Sequence, residues 1–212
     1  STGLRINSAK DDAAGMAIST RMKSQISGMT IAGRNVNEGI SMLQVAEGAY
    51  GTASDILLKM RDLAVSAKQG TLSTEDRASM DKQYQSLATA LSDNFKNVSF
   101  NGKKITSTDA GSFVLQVGAN SGDTLTITTK DASALLATPG DLTDATKAGT
   151  AMTAIDAALK TVSDDRTDYA ASMTRLEHTF NNLQTSIANT TDARSRIVDA
   201  DYAAEISKLT SA

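Results

Sequence analysis

The feature that most constrains this chain is a stretch from Met152 to Lys208 that contains neither proline nor glycine. Within it Met152, Ile155, Leu159, Val162, Tyr169, Met173, Leu176, Phe180, Leu183 and Ile187 recur at alternating steps of three and four residues, interrupted only by Arg166. The rhythm continues, less apolar, through Thr190, Arg194 and Ile197. An apolar repeat averaging about 3.5 residues is the seam of a left-handed coiled coil, or of a long helix lying along another. At about 1.5 Å of rise per residue this helix would be ~85 Å long. It cannot bury its stripe alone, so the chain must supply a partner of similar length.

The partner is the region from Ala13 to Lys68, also free of proline. Met29, Ala32, Val36, Gly39, Leu43, Ala46, Tyr50, Ala53, Leu57, Met60, Ala64 and Ala67 repeat the same spacing. The two stretches are expected to lie antiparallel. Gly15, Gly28, Gly33, Gly39, Gly48 and Gly51 interrupt the first one, each unfavourable by about 1 kcal/mol relative to alanine in a helix. Two readings explain them. Either glycines on the seam allow close approach of neighbouring helices, in this molecule or the next, or some of them break the segment into two helices. The continuous helix is adopted here.

Between the long helices, Gln69 to Ser73 reads as a C-cap glycine (Gly70) and a turn. Ser73 or Thr74, followed by Glu75 and Asp76, then opens a shorter helix. Its stripe is Arg77, Met80, Tyr84, Leu87 and Leu91, reaching Phe95. Beyond Asn94 the period changes. Asn101-Gly102 signals a turn. Ser112–Val117 and Asp123–Thr129 are β-rich runs around a Gly118–Gly122 bend, with Leu125 and Ile127 on one face and threonines on the other. A two-stranded hairpin is marginal alone and is expected to pack on a helix or a third strand. The fold class is therefore mainly α: an elongated antiparallel helical rod of two long helices and one shorter helix, with a small inserted β-hairpin. Read as a single domain over residues 1–212, it comprises helix 12–68, helix 74–94, β region 98–129, a linker at 130–148 with one possible helical turn, and helix 150–208.

Composition narrows function. Four Phe, four Tyr and no Trp argue against a thick globular core. The formal charge of -3, from 21 basic and 24 acidic groups spread along the chain, offers no concentrated basic face for nucleic acid. No apolar run reaches membrane-spanning length, and no signal peptide is visible. With no cysteine and a single histidine, His178, there is no disulfide, no thiolate nucleophile and no usual metal-ligand set. Asp11-Asp12, Asp164-Asp165 and the group Asp199, Asp201 and Glu205 read as solvated, capping or contact charges. No calcium loop, nucleophile elbow or phosphate loop is present. The expectation is no catalytic residue, no cofactor and no metal.

The motifs, in order, resemble bacterial flagellin. They are Leu4 to Ile18, Asn37 to Gln44, Met60 to Val65, Phe100 to Lys103, Gln116 to Asn120, Arg175 to Thr179 and Arg196 to Asp201. The resemblance implies a structural subunit of the flagellar filament, extracellular, assembling with its own kind by side-by-side packing and exported through the flagellar type III apparatus. It covers the rod-like domain of that family. By the same comparison the polymerising ends and the variable outer domains lack a counterpart here, which implies a soluble monomer without the export-chaperone site. Flagellin is also a ligand of a vertebrate innate receptor, Toll-like receptor five. Motif matching places the receptor contact region on Lys59, Leu63 and Gln83. Receptor-activating members carry arginine and glutamate where this chain has Lys59 and Gln83, so binding is expected to be weakened. The helix-packing seam is assigned to Met29, Val36, Leu43, Tyr50, Leu57, Met60, Ile155, Leu159, Val162, Tyr169, Met173, Leu176, Phe180, Leu183 and Ile187. Two other classes stay open at this point: a flagellin-like cell-surface adhesin, and a flagellin-type enzyme, which would need a domain in the insert.

Overall fold

A computed structural model of the chain describes residues 6, 8, 10–136 and 140–199. Its elements are α1 (Ala13–Ala67), α2 (Thr74–Asn97), β1 (Ser112–Gln116), β2 (Thr124–Thr128), α3 (Ser133–Leu136) and α4 (Ala145–Val198). The fold is mainly helical, with two long helices, a shorter one and an antiparallel hairpin. α1 is one uninterrupted helix of 55 residues, so its glycines do not break it. The part of the expected last helix beyond Asp199, and Pro139 in the expected linker, lie outside the described residues.

The chain packs as two compact units. One comprises the chain up to Glu38, Leu115–Leu125, and the chain from Leu176 onward; the other comprises Gly39–Val114 and Thr126–Arg175. In the first unit Ser19 meets Arg194 and Gly33 faces the Phe180 ring, so position rises along α1 as it falls along α4. In the second unit Glu47 meets Arg166 and Arg61 meets Asp156, giving the same antiparallel sense. Both units bury the stripe of threes and fours: Ala32 and Val36 in the first, and Leu43, Ala46, Tyr50, Ala53, Leu57, Met60, Ala64 and Ala67 in the second, are essentially inaccessible.

Termini of the helices are satisfied by named side chains, as the unpaired N–H and C=O groups at a helix end require. Asp12 accepts from the Gly15 N–H at 2.8 Å and starts α1. Ser73 caps α2 in a reciprocal box: its hydroxyl accepts from Asp76 N–H, and the Asp76 carboxylate accepts from Ser73 N–H. The end of α1 differs from expectation. Gly70 is not in the left-handed conformation of a C-cap glycine. Instead Arg77, placed on the α2 stripe from sequence, donates to the carbonyls of Ala67 (3.0 Å), Gln69 (2.7 Å) and Leu72 (3.0 Å). A planar fork with five donors can span three carbonyls that no single glycine would reach.

Two boundaries also move. α2 runs to Asn97 rather than 94, because Phe95 is wholly buried and its carbonyl accepts from Thr106 Oγ1 at 2.9 Å. α4 starts at Ala145 rather than 150, because Asp144 accepts from the Lys147 N–H at 2.8 Å and caps the helix five residues early. Gly149 thus lies inside α4. The expected linker holds α3, a single turn that packs on α2.

The hairpin pairs from Val117 N–H to the Asp123 carbonyl (2.8 Å) down to Thr129 N–H and the Gly111 carbonyl (2.9 Å). Ile127 is buried and Leu125 half-buried, while Thr124, Thr126 and Thr128 are exposed. Asn101 (φ 50°) and Gly102 (φ 79°) form the tight turn that lets Phe100 and Lys103 exchange two backbone hydrogen bonds of 2.9 Å.

The glycines of α1 divide. A Cβ at Gly28 would sit 3.0 Å from the Ala119 Cβ, so this glycine admits the hairpin bend, not a second helix. A Cβ added at Gly48 or Gly51 would meet no described atom within 4 Å. We therefore expect Gly48→Ala to stabilise the isolated chain by about 0.5–1 kcal/mol, as helix propensity alone dictates, and Gly28→Ala to destabilise it; urea unfolding checks both. Arg77→Leu is expected to lower stability by about 1–2 kcal/mol because three carbonyls at the end of α1, two of them part-buried, lose charged donors, with Arg77→Lys recovering only part of it.

Candidate functional site

The side chains with chemical potential are spent on structure. Tyr50 of α1 lies edge-on to Phe95 of α2 (centroids 5.0 Å apart) and to Tyr169 of α4 (5.3 Å). The Tyr50 hydroxyl donates to the Lys130 carbonyl at 3.2 Å, and the Lys130 N–H donates to the Tyr169 oxygen at 2.9 Å. Burial pushes both phenols up from their ordinary range. Tyr84 is buried without any hydrogen-bond partner for its hydroxyl; burial, with help from the Asp81 charge, pushes its pKa up to about 12. His178 is exposed on α4. Among the described residues no three His, Cys, Asp or Glu side chains gather as a metal site would need, and no helix is long and apolar enough to cross a membrane.

The residues assigned to the seam fall into two sets. Val36, Leu43, Tyr50, Leu57, Met60, Ile155, Val162, Tyr169, Leu176 and Leu183 are buried, whereas Met29, Leu159, Met173, Phe180 and Ile187 are half-buried. Leu159 and Met173 are left partly open because, with Val162, Glu47 and Ser54, they line a groove of about 460 Å³ between α1 and α4 in the second unit. Arg166, the one break in the apolar series, lies in this groove and donates through Nε (2.9 Å) and Nη2 (2.6 Å) to Glu47 Oε1. A charge interrupts the stripe where the opposite helix supplies its counterion.

Lys59 and Gln83, assigned to the receptor region, are exposed on α1 and α2, and Leu63 is half-buried. Lys59 and Leu63 are four residues apart on one helix and so share a face. Sequence reasoning missed the large apolar residues beside them. Leu58 and Val65 remain 49% and 45% exposed, and seven residues apart they also share a face. The signal was available: each directly follows a buried seam residue, Leu57 or Ala64, so it points off the stripe. Arg61, between them, pairs with Asp156 at 2.6 Å on the surface.

The fold is a set of antiparallel helices with a hairpin, and large apolar residues stay uncovered along α1. Residues 1–111 match the family described as the bacterial flagellin N-terminal helical region, and residues 152–212 match the bacterial flagellin C-terminal helical region. A flagellin of Halalkalibacterium halodurans is 42% identical over 214 residues, covering 99% of this chain and 79% of the relative. A flagellin of Bacillus subtilis is 39% identical over 249 residues, covering 99% and 81%. The crystal structure of Bacillus cereus flagellin superposes with a TM-score of 0.66 at 34% identity, over 71% of this chain and 88% of that one. The chain belongs to the bacterial flagellin family. It is a structural, non-catalytic subunit of the extracellular flagellar filament, and it self-assembles with other flagellin subunits.

Acid is expected to weaken the fold with a defined sign. The Ser73 hydrogen bonds hold Asp76 below the usual carboxylate range, Thr143 and Lys147 do so for Asp141, and Arg61 does so for Asp156. Groups with depressed folded values contribute stability that is complete above their ordinary range and lost as pH falls through the folded values. Denaturant unfolding across the acid range should show this loss, and Asp76→Asn should remove part of it.

Proposed function

We propose that the subunit makes its filament contacts in the second unit through the outer face of α1, led by Leu58 and Val65, and through the groove lined by Leu159, Val162 and Met173. One observation carries this reading: large apolar side chains stay half-exposed on a helix whose seam is otherwise sealed. A helical polymer joins two different surfaces of each subunit, and a ridge on α1 with a groove beside α4 supplies such a pair. Export through the flagellar type III apparatus is part of the same reading.

The same stretch of α1 is proposed as the contact for Toll-like receptor five, with Lys59 and Leu63 on α1 and Gln83 on α2. Lys59 keeps a positive charge but lacks the planar fork of an arginine, and Gln83 lacks the charge of a glutamate. Both are exposed, so neither is held by the fold away from a partner.

Cells lacking the gene, complemented with Leu58→Asp or Val65→Asp, are expected to export folded subunit but show short or absent filaments by electron microscopy. Normal filaments from both variants would overturn the assigned surface. The double variant Lys59→Arg, Gln83→Glu is expected to bind the receptor ectodomain roughly tenfold more tightly than the parent, the equivalent of about 1.4 kcal/mol. Equal affinity in a direct titration would rule out that contact region.

A further inference from the structure

The chain has eight methionines and no cysteine, so its sulfur chemistry is that of thioethers. Burial sorts the methionines of the second unit. Met42 and Met60 are only 6% and 2% exposed. Met173, on α4, is half-buried and lines the groove of about 460 Å³ together with Leu159 and Val162. The Arg166–Glu47 pair lies in the same groove. The Met173 thioether is therefore within reach of a small solute, while the seam thioethers are shielded for as long as the fold holds.

A thioether in such a place is a flexible apolar filler that adapts to whatever packs on it. A peroxide changes that. A lone pair on Sδ attacks one peroxide oxygen, the O–O bond breaks and an S–O bond forms. The second oxygen leaves as hydroxide and takes the proton of the first to become water. Sulfur has lost two electrons and the peroxide has gained them. The sulfoxide is polar and chiral, and methionine sulfoxide reductases return it to the thioether. Burying its oxygen against an apolar partner with no hydrogen-bond donor is unfavourable.

We infer that Met173 is an oxidation site that decides whether the groove can receive a second copy of the chain: the thioether admits the apolar ridge of α1, and the sulfoxide rejects it. This rests on the reading that the groove takes the Leu58 and Val65 ridge of a neighbouring subunit. Leu58 and Val65 carry no sulfur, so the sensitivity belongs to the groove side of the contact. It also has a direction in time. A free subunit presents Met173 to a peroxide, whereas a subunit already in the filament has it covered, so oxidation stops growth and spares what is built.

The test treats the full-length subunit with hydrogen peroxide, both free and assembled, and compares Met42, Met60 and Met173 by peptide mass spectrometry. In free subunits Met173 is expected to gain oxygen several-fold faster than Met42 and Met60, and in filaments to be protected several-fold. Growth on preformed seeds, followed by light scattering, should fall several-fold once Met173 is oxidised and return after treatment with a methionine sulfoxide reductase. Met173→Leu, which conserves volume, should keep growing after the same treatment. Untreated Met173→Gln, polar and of similar length, should grow as slowly as the oxidised parent, with urea unfolding showing that both variants fold. Two failures are distinct. If Met173→Gln grows normally and Met173 is unprotected in filaments, the groove is not the contact and the underlying reading falls. If Met173→Gln is arrested but the fully oxidised parent grows normally, or Met173→Leu loses growth as the parent does, only the oxidation switch is overturned. A Met173 that reacts no faster than Met60 in free subunits overturns it as well.

Discussion

In the second unit everything turns on Tyr50. Its ring lies edge-on to Phe95 and Tyr169, so a single side chain of α1 is in contact with both α2 and α4. Its hydroxyl reaches the chain that follows β2. In a protein with so few aromatic residues, three of them meet at one place while alanine and leucine line the seam elsewhere. Small side chains let the helices approach closely but bury little area each. The aromatic cluster provides the large buried surface at the point where most elements converge, since each such ring buries roughly 150–250 Å².

The seam was legible because its physical cause is periodic. Burial of a helix face selects apolar residues at steps of three and four, and the same rule holds over the whole of α1 whatever it packs against. Features without a period were harder to read. Arg77 stood in the α2 stripe by spacing, yet its role is to satisfy the carbonyls at the end of α1, a contact across the turn between two helices with no sequence signature. Gly70 carried the usual sign of a helix end and is not used in that way. Asp144, by contrast, is a readable cap that lies ahead of the start expected for α4 at residue 150.

The glycines show why a residue type alone underdetermines structure. Gly28, Gly48 and Gly51 carry the same unfavourable helix propensity, but only Gly28 has a neighbour that requires it, and that neighbour is the hairpin bend. Close approach was the right reason there with the wrong partner. At Gly48 and Gly51 no atom of this chain offers a reason. Leu58 and Val65 are alike in this, since nothing within the chain explains their half-exposed side chains.

Electrostatics in this molecule separates into two kinds. Arg61–Asp156 and Lys160–Asp164 lie on the surface, where a pair contributes roughly 0–1 kcal/mol and is screened by salt. They orient helices that burial already holds together. Arg166 and Glu47 differ because they meet in the groove between α1 and α4, where Arg166 donates to one carboxylate oxygen at 2.9 and 2.6 Å. There a charge can interrupt the apolar stripe because the facing helix supplies its counterion.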